Sequence, residues 1–377
     1  TLRSDSCLRE CRSKMMRVVS ILAATSAARA AASASAETGP CDIFAKGGTP
    51  CQAAHSLTRP LYGAYKGPLY QVMRMSDGSK LDIGVNAGTG VADSGTQDSF
   101  CGTAFCMVHR IYDQSPNRNH LELGPPGGFA RAWDRGVNAS AHRVFVKSPI
   151  TGRSVPVYGA LFEGKMGYRQ DATRNIAVGD DPETMYAVVS GRIFNGGCCF
   201  DYGNAETDNN DDGEGTMEAV YFGSSSVWGH GSGQKGPWVM ADLENGLWAG
   251  SERVEERNTP VDADFVTAML KGDRNDRFAI KAGDAGVGAG LQPKYDGPRP
   301  PNPKYKVMKK QGAIILGIGG DNSNSAIGAF YEGVMTSGFS SDEADVGVHA
   351  NIGAMKYALH GGAEAAEGEE APATLLV

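Results

Sequence analysis

Two acids set two residues apart, Asp242 and Glu244, lie in a segment that holds Trp228, Trp238 and Trp248, three of the four tryptophans. Residues two apart on a strand project to the same face. The spacing therefore predicts a pair of carboxylates beside indole rings. Aromatic rings stack on the apolar faces of sugars, and paired carboxylates move protons or attack an anomeric carbon. The competing reading is a hydrophobic inner face with acids turned to solvent. A third acid, Asp321, follows Gly319 and Gly320 at the end of an apolar run. Glycine there lets backbone come close to a ligand. Asp321-Asn322-Ser323-Asn324 also reads as an ordinary Asx turn.

Other candidate motifs fail on spacing. Asp208 to Gly213 begins like a calcium loop, but the twelfth position is Ala219, not a bidentate Glu. The run is read as a solvated acidic turn. Gly159 to Lys165 resembles a phosphate loop, with Met166 in place of the required Ser or Thr. The seven histidines form no H-E-x-x-H pair and the cysteines no C-x₂-C pair. No metal or organic cofactor is expected. Asn138-Ala139-Ser140 is an N-glycosylation triplet, relevant if the chain is secreted.

The elements that must position these residues read as strands. Short apolar or alternating runs recur after Arg143: Val155–Phe162, Met185–Phe194, Met217–Phe222, Trp238–Leu243, Phe278–Ala282, Ala313–Ile318 and Ala329–Met335. Gly-rich turns separate them. Helices of 10–15 residues, which a parallel α/β fold needs between strands, are missing. One helix is expected within Ser341–Leu359. The fold class is all-β, a two-sheet sandwich with few short helices.

The chain has 377 residues, 41% of them hydrophobic, enough for a large core. Its formal charge is −7; the first 36 residues carry +4, so the remainder carries −11. Such a surface repels nucleic acid and anionic lipid. A neutral polymer is indifferent to it. Residues 1–36 are read as a leader, a secretory signal peptide starting at Met15 or Met16 with residues 1–14 an upstream extension. The rival is an organellar transit peptide. Residues 37–360 are the folded domain, and 361–377 an acidic disordered tail.

Cys7 and Cys11 fall in the leader, leaving Cys41, Cys51, Cys101, Cys106, Cys198 and Cys199. An even count behind a signal peptide suggests disulfides in an oxidising compartment. Spacing favours the pairs 41–51, 101–106 and 198–199. Adjacent Cα atoms are about 3.8 Å apart across a trans peptide, short of the usual disulfide span. Reduced thiols or two long-range bridges therefore stay open for Cys198 and Cys199.

Several stretches together resemble the catalytic domain of glycoside hydrolase family 54, the arabinofuranosidase B type. They include Gly39 to Phe44 with Cys51, Ile111 to Ser115 with Asn119 and His120, and Pro125 to Phe129. They continue through Cys198 to Thr207, Gly236 to Trp238 with Asp242 to Asn245, Gly312 to Asn324, and Phe330 to Gly338. The likeness runs in order over residues 39–358.

The resemblance implies a concanavalin-like sandwich of jelly-roll type. It implies an exo-acting, retaining α-L-arabinofuranosidase, with Glu244 as nucleophile and Asp321 as general acid/base. It further implies a vicinal Cys198–Cys199 disulfide under the sugar ring, with bridges Cys41–Cys51 and Cys101–Cys106. Trp228, Asp242, Asn245 and Gly320 fall at its sugar-binding positions. The implied partner is a plant cell-wall arabinan or arabinoxylan, met by a secreted monomer.

Three departures stand out. Gly246 occupies the place of a second Asn, so one sugar hydrogen bond is expected to be lost. The acidic segment 208–214 replaces a Ser/Thr-rich one. The family usually continues into a C-terminal β-trefoil arabinose-binding module, which these residues do not reach. The alternatives are a non-catalytic arabinose-binding lectin on the same fold, or a hydrolase with additional β-xylosidase activity.

Overall fold

The computed structural model describes residues 38–233 and 235–361. The leader, with Cys7 and Cys11, and the tail from residue 362 lie outside the described residues. Two seven-stranded sheets dominate. The first runs Cys51–Ser56, Ile327–Ser337, Glu183–Phe194, Phe265–Asp273, Arg277–Asp284, Gln292–Pro298, with Ala160–Glu163 also paired to Ile327–Ser337. The second runs Leu247–Trp248, Trp238–Asp242, Glu218–Gly223, Asp201–Ala205, Ala313–Leu316, Tyr168–Gln170, Glu122–Leu123. Neighbours within both are antiparallel. The fold is the β-sandwich that strand patterning called for.

Alternation along the strands sorts side chains into layers. Tyr202, Val220, Phe222 and Leu316 of the second sheet meet Ala187, Val189, Ala268 and Phe330 of the first. Their alternates on the second sheet face away from the first. These include Ala219, Tyr221, Met240, Ala313 and Ile315, which form two further apolar clusters. The first sheet is covered on its far face by helix Asp342–Ala354. Ser341 caps that helix by accepting from the Ala344 amide at 3.2 Å. His349 of the helix meets Thr267 at 3.0 Å, and Lys271 donates to Asp345 at 2.7 Å.

Glu183–Phe194 is thus buried on both faces over most of its length, which explains its near-continuous apolar run. The expected stretch Val155–Phe162 is two strands, Ser154–Tyr158 and Ala160–Glu163, in different sheets. The break falls at Gly159, where a Cβ would stand 2.6 Å from the Tyr331 ring.

Disulfides staple the segment before the large sheets. Cys41–Cys51 joins helix Pro40–Lys46 to the first strand, and Cys101–Cys106 joins helix Ser94–Cys101 to Cys106–Ile111. Between the layers, Arg59 forms a two-pronged pair with the buried Glu332, which also receives the Tyr186 and Tyr357 hydroxyls. No helix among the described residues is long and apolar enough to cross a membrane.

Candidate active site

The site lies on the face of the second sheet that points away from the first. Trp238–Asp242 and Leu247–Trp248 form a hairpin, with Asp242 opposite Leu247 and the Leu243 amide donating to the Gly246 carbonyl at 3.1 Å. The two residues of its turn, Glu244 and Asn245, have φ of 61° and 54°. Two consecutive positive φ values are the mark of a type I′ hairpin turn. Asn suits such a position; Glu does not, and backbone of this kind in a non-glycine residue is held only when its surroundings fix it. Here the Glu244 amide donates to Asp242 Oδ1 at 3.1 Å, and the Tyr305 hydroxyl donates to the Glu244 carbonyl at 2.9 Å. The strand ends at Asp242, so the same-strand argument for pairing Asp242 with Glu244 was incorrect. A turn, not the strand pleat, brings them together.

Asp321 arrives from the other side. Strand Ala313–Leu316 runs into the loop Gly317 to Asn324, where Asp321 Oδ1 accepts from the Ser323 amide at 2.9 Å. Asp321 thus forms the Asx turn, and its charge is near enough to act on Asp201 and Asp242. Its carbonyl accepts from the Phe129 amide at 2.9 Å, which fastens the Pro125–Phe129 segment beside it. A Cβ at Gly320 would stand 2.9 Å from Glu244 Oε2 and would collide with Glu206 Oε2. Gly320 is thus required by close approach of carboxylates.

Cys198 and Cys199 are disulfide-bonded to each other, and their peptide bond is cis, with Cα atoms 2.9 Å apart. Both sulfurs and a carboxylate oxygen of Asp242 lie within 4.8 Å of one another. With both sulfurs in the bridge, this trio offers no thiolate to a metal. A Cβ at Gly319 would sit 3.5 Å from Cys199 Sγ, so the disulfide runs beneath the loop that carries Asp321. Cys199, Tyr221, Trp238, Met240 and Leu247 are packed together, with Cys198 and Trp228 half-buried against them. Trp228 thus packs against the cluster that contains Cys199, whereas Trp238 is buried in the cluster and Trp248 packs edge-on to Tyr305. Asn245 donates its amide to Asp211 Oδ1 at 2.9 Å, which ties the hairpin to the acidic segment 208–214.

Acidic side chains are concentrated here, and burial opposes the ionisation of Glu244, Asp242 and Asp201. Glu244 is held well above the usual carboxylate range, first by burial and then by the charges of Glu206 and Asp242. Asp242 is raised by burial, and Asp201 behind it by burial and by the charge of Asp242. Asp201 and Tyr221 are cross-strand partners, as are Asp242 and Ala219, so strand register lays the acids along one face.

The sequence reading did not single out Asp201, Glu206, Arg169 or Tyr305. Arg169, buried, donates to the Gly320 carbonyl at 2.7 Å and to the Glu206 carbonyl. Asp201 and Glu206 sit inside one of the stretches that carry the resemblance, and nothing local distinguishes them from solvent-facing acids. Their burial is a tertiary fact. Asn138 lies apart from the site, half-buried, with its Oδ1 accepting from the Ser140 amide at 3.1 Å.

The sequence profile described as α-L-arabinofuranosidase B, catalytic, matches residues 40–358. The chain belongs to this family. It is 52% identical over 322 residues to the α-L-arabinofuranosidase of Hypocrea jecorina, covering 85% of the chain and 63% of that relative. It is 51% identical over 322 residues to the arabinofuranosidase/B-xylosidase of Trichoderma koningii, with the same coverage. A structure of a family 54 α-L-arabinofuranosidase soaked with a cyclic sulfate inhibitor superposes with a TM-score of 0.81 at 46% identity. So does an arabinofuranosidase complexed with arabinofuranosyl-α-1,2-xylobiose, at 45% identity. Each of these structures covers 85% of this chain, and the chain covers 66% of each. The chain thus spans just under two thirds of the length of the relatives it matches.

Proposed function

We propose that this arabinofuranosidase-B-family chain is a secreted, monomeric, exo-acting and retaining α-L-arabinofuranosidase. Its substrate class is arabinoxylan or arabinan bearing terminal arabinofuranosyl units. The observation that carries the reading is the meeting of Glu244 with the Gly320–Asp321 loop beside the Cys198–Cys199 bridge. One carboxyl comes from a hairpin turn and the other from the facing loop, and the apolar sulfur surface lies against Asp242 and against the loop at Gly319 and Ser323. The three disulfides support an oxidising compartment.

In the proposed reaction a carboxylate oxygen of Glu244 attacks the anomeric carbon. The bond to the departing oxygen breaks, and that oxygen takes the proton of Asp321. Water then attacks the anomeric carbon of the glycosyl–enzyme and gives its proton to Asp321. Glu244 leaves as carboxylate, and the configuration is retained by two inversions. In this reading the sulfur surface and Trp228 offer apolar contact to the sugar, while Asp242 and Asn245 bind its hydroxyls.

Replacing Glu244 by Ala tests the assignment. Hydrolysis of 4-nitrophenyl α-L-arabinofuranoside should fall by several orders of magnitude, and azide should restore turnover with the opposite anomer as product. Wild-type turnover in this variant would overturn the nucleophile role. The lectin reading predicts binding of arabinofuranosides with no hydrolysis by the unaltered protein. Dual activity is favoured by the relative from Trichoderma koningii, and 4-nitrophenyl β-D-xyloside assayed beside the arabinofuranoside decides it.

A further inference from the structure

Glu206 follows strand Asp201–Ala205 and is fully buried. Its Oε1 accepts the Thr216 hydroxyl, and its carbonyl accepts from Arg169. Its Oε2 is buried and meets no N–H or hydroxyl donor. That oxygen and Glu244 Oε2 converge on one point above Gly320, where a Cβ would collide with the first and stand 2.9 Å from the second. Arg169 ties this together, since its guanidinium holds the Gly320 carbonyl at 2.7 Å as well as that of Glu206.

An orphaned carboxylate oxygen aimed at a second buried carboxyl is costly if both are ionised. Two such groups relieve the repulsion by sharing one proton. The surroundings do not supply enough positive charge to avoid this. The cation acting on Glu206 is Arg169, from strand Tyr168–Gln170. Asp242 from the hairpin and Asp211 from the acidic segment add negative charge at Glu244, and Asp201 and Asp321 extend the same field. The burial-driven upward shifts of both Glu206 and Glu244 agree with a shared proton.

We propose that Glu206 is the positioning residue for Glu244: the two carboxyls hold a single proton between them in the empty site, and Glu206 keeps it when Glu244 acts as the nucleophile. The proton stays within the pair. It moves from Glu244 to Glu206 Oε2, and the hydrogen bond reverses its sense, so that Glu206 now donates to the Glu244 carboxylate. Charge and proton count are unchanged, and no outside base is needed. Glu206 touches neither the sugar nor the departing oxygen in this scheme. The proposal rests on the nucleophile reading for Glu244.

The test is the pH profile of kcat/KM for 4-nitrophenyl α-L-arabinofuranoside, which reports groups in the free enzyme. Glu206→Gln keeps a donor against Glu244 and stands for the protonated Glu206 of the active form. Its acid limb should stay within about half a pH unit of wild type, because that limb is the step from two protons to one, with Glu206 neutral on both sides of it. Glu206→Ala removes the donor that favours the Glu244 carboxylate, so its acid limb should move toward alkaline by about one pH unit or more. It should also lose about a hundredfold or more in kcat, because nothing then holds the Glu244 carboxyl in place. An acid limb that stays at its wild-type position in Glu206→Ala, or a loss in Glu206→Gln as large as in Glu206→Ala, overturns the proposal. Should Glu206→Ala not fold, Glu206→Asp draws the donor back by one methylene, and its limb must move in the same direction or the proposal fails. Glu244→Ala in the same assay separates the two ideas. If it retains turnover, the nucleophile reading falls. If it is inactive and rescued by azide while the Glu206→Ala limb is unmoved, only the role of Glu206 falls.

Discussion

The guanidinium of Arg169 donates to the carbonyl of Gly320 at 2.7 Å, from a side chain with no exposure to solvent. The same group reaches the Glu206 carbonyl and, through Nε, Asp171 Oδ1 at 2.5 Å. One planar fork therefore sets the relative position of two loops, that of Glu206 and that of Asp321.

Arg169→Lys keeps the charge and removes the fork. An ammonium is a point donor and does not bridge both carbonyls in the same geometry. We expect kcat/KM for an aryl α-L-arabinofuranoside to fall about a hundredfold, the cost of a misplacement near 1 Å. The near-UV circular dichroism should stay native. Wild-type kcat/KM in this variant would mean that the loops are positioned by other contacts.

Gly246 was expected to mark a lost hydrogen bond to sugar. Its surroundings point to packing instead. A Cβ there would collide with Trp248 Nε1 and stand 2.9 Å from the Tyr305 hydroxyl, the group that holds the Glu244 carbonyl. Gly246→Asn should therefore lower stability in urea unfolding by about 1–3 kcal/mol, the usual cost of overpacking. KM should not improve. Unchanged stability with a lower KM would restore the hydrogen-bond explanation.

Asp134 links the segment after strand Glu122–Leu123 to the Asp321 loop. Its Oδ1 accepts from Asn324 Nδ2 at 2.6 Å. Its Oδ2 is buried without a hydrogen-bond partner, as are both polar atoms of the Asn322 amide. Burial raises its pKa to about 6, above the ordinary value of about 3.9. The folded protein thus binds this proton more tightly than the unfolded chain. Its stabilising contribution is complete below about pH 4 and is lost as pH rises through about 6. Asp134→Asn is neutral throughout and can donate to Asn322 Oδ1. The melting temperature of the variant minus that of wild type should therefore rise between pH 4 and 6.5. A difference that stays flat over this range would contradict the assignment.

Much of the architecture was legible in one dimension. The short apolar runs in Trp238–Asp242 and Ala313–Leu316, and the long one in Glu183–Phe194, follow from burying both faces of a strand. These patterns are local, so the sequence displays them. The helix beginning after Ser341 was legible for the same reason, through the spacing of its apolar residues. Asp242, Glu244 and Asp321 could be nominated, each beside an ordinary alternative, and the family resemblance joined them.

The amino-acid sequence by itself therefore determined the sandwich class, the local disulfide candidates and the acids available for chemistry. Only the tertiary structure decided which acids are buried together. Glu206 and Glu244 are 38 positions apart in the chain, and they meet because a hairpin turn and a strand end fall over the same glycine. Asp242 and Glu244, two positions apart, meet through a turn with positive φ and not through the pleat. Burial and mutual charge depend on every element that closes over a residue. Those long-range terms set protonation, and no window along the chain contains them.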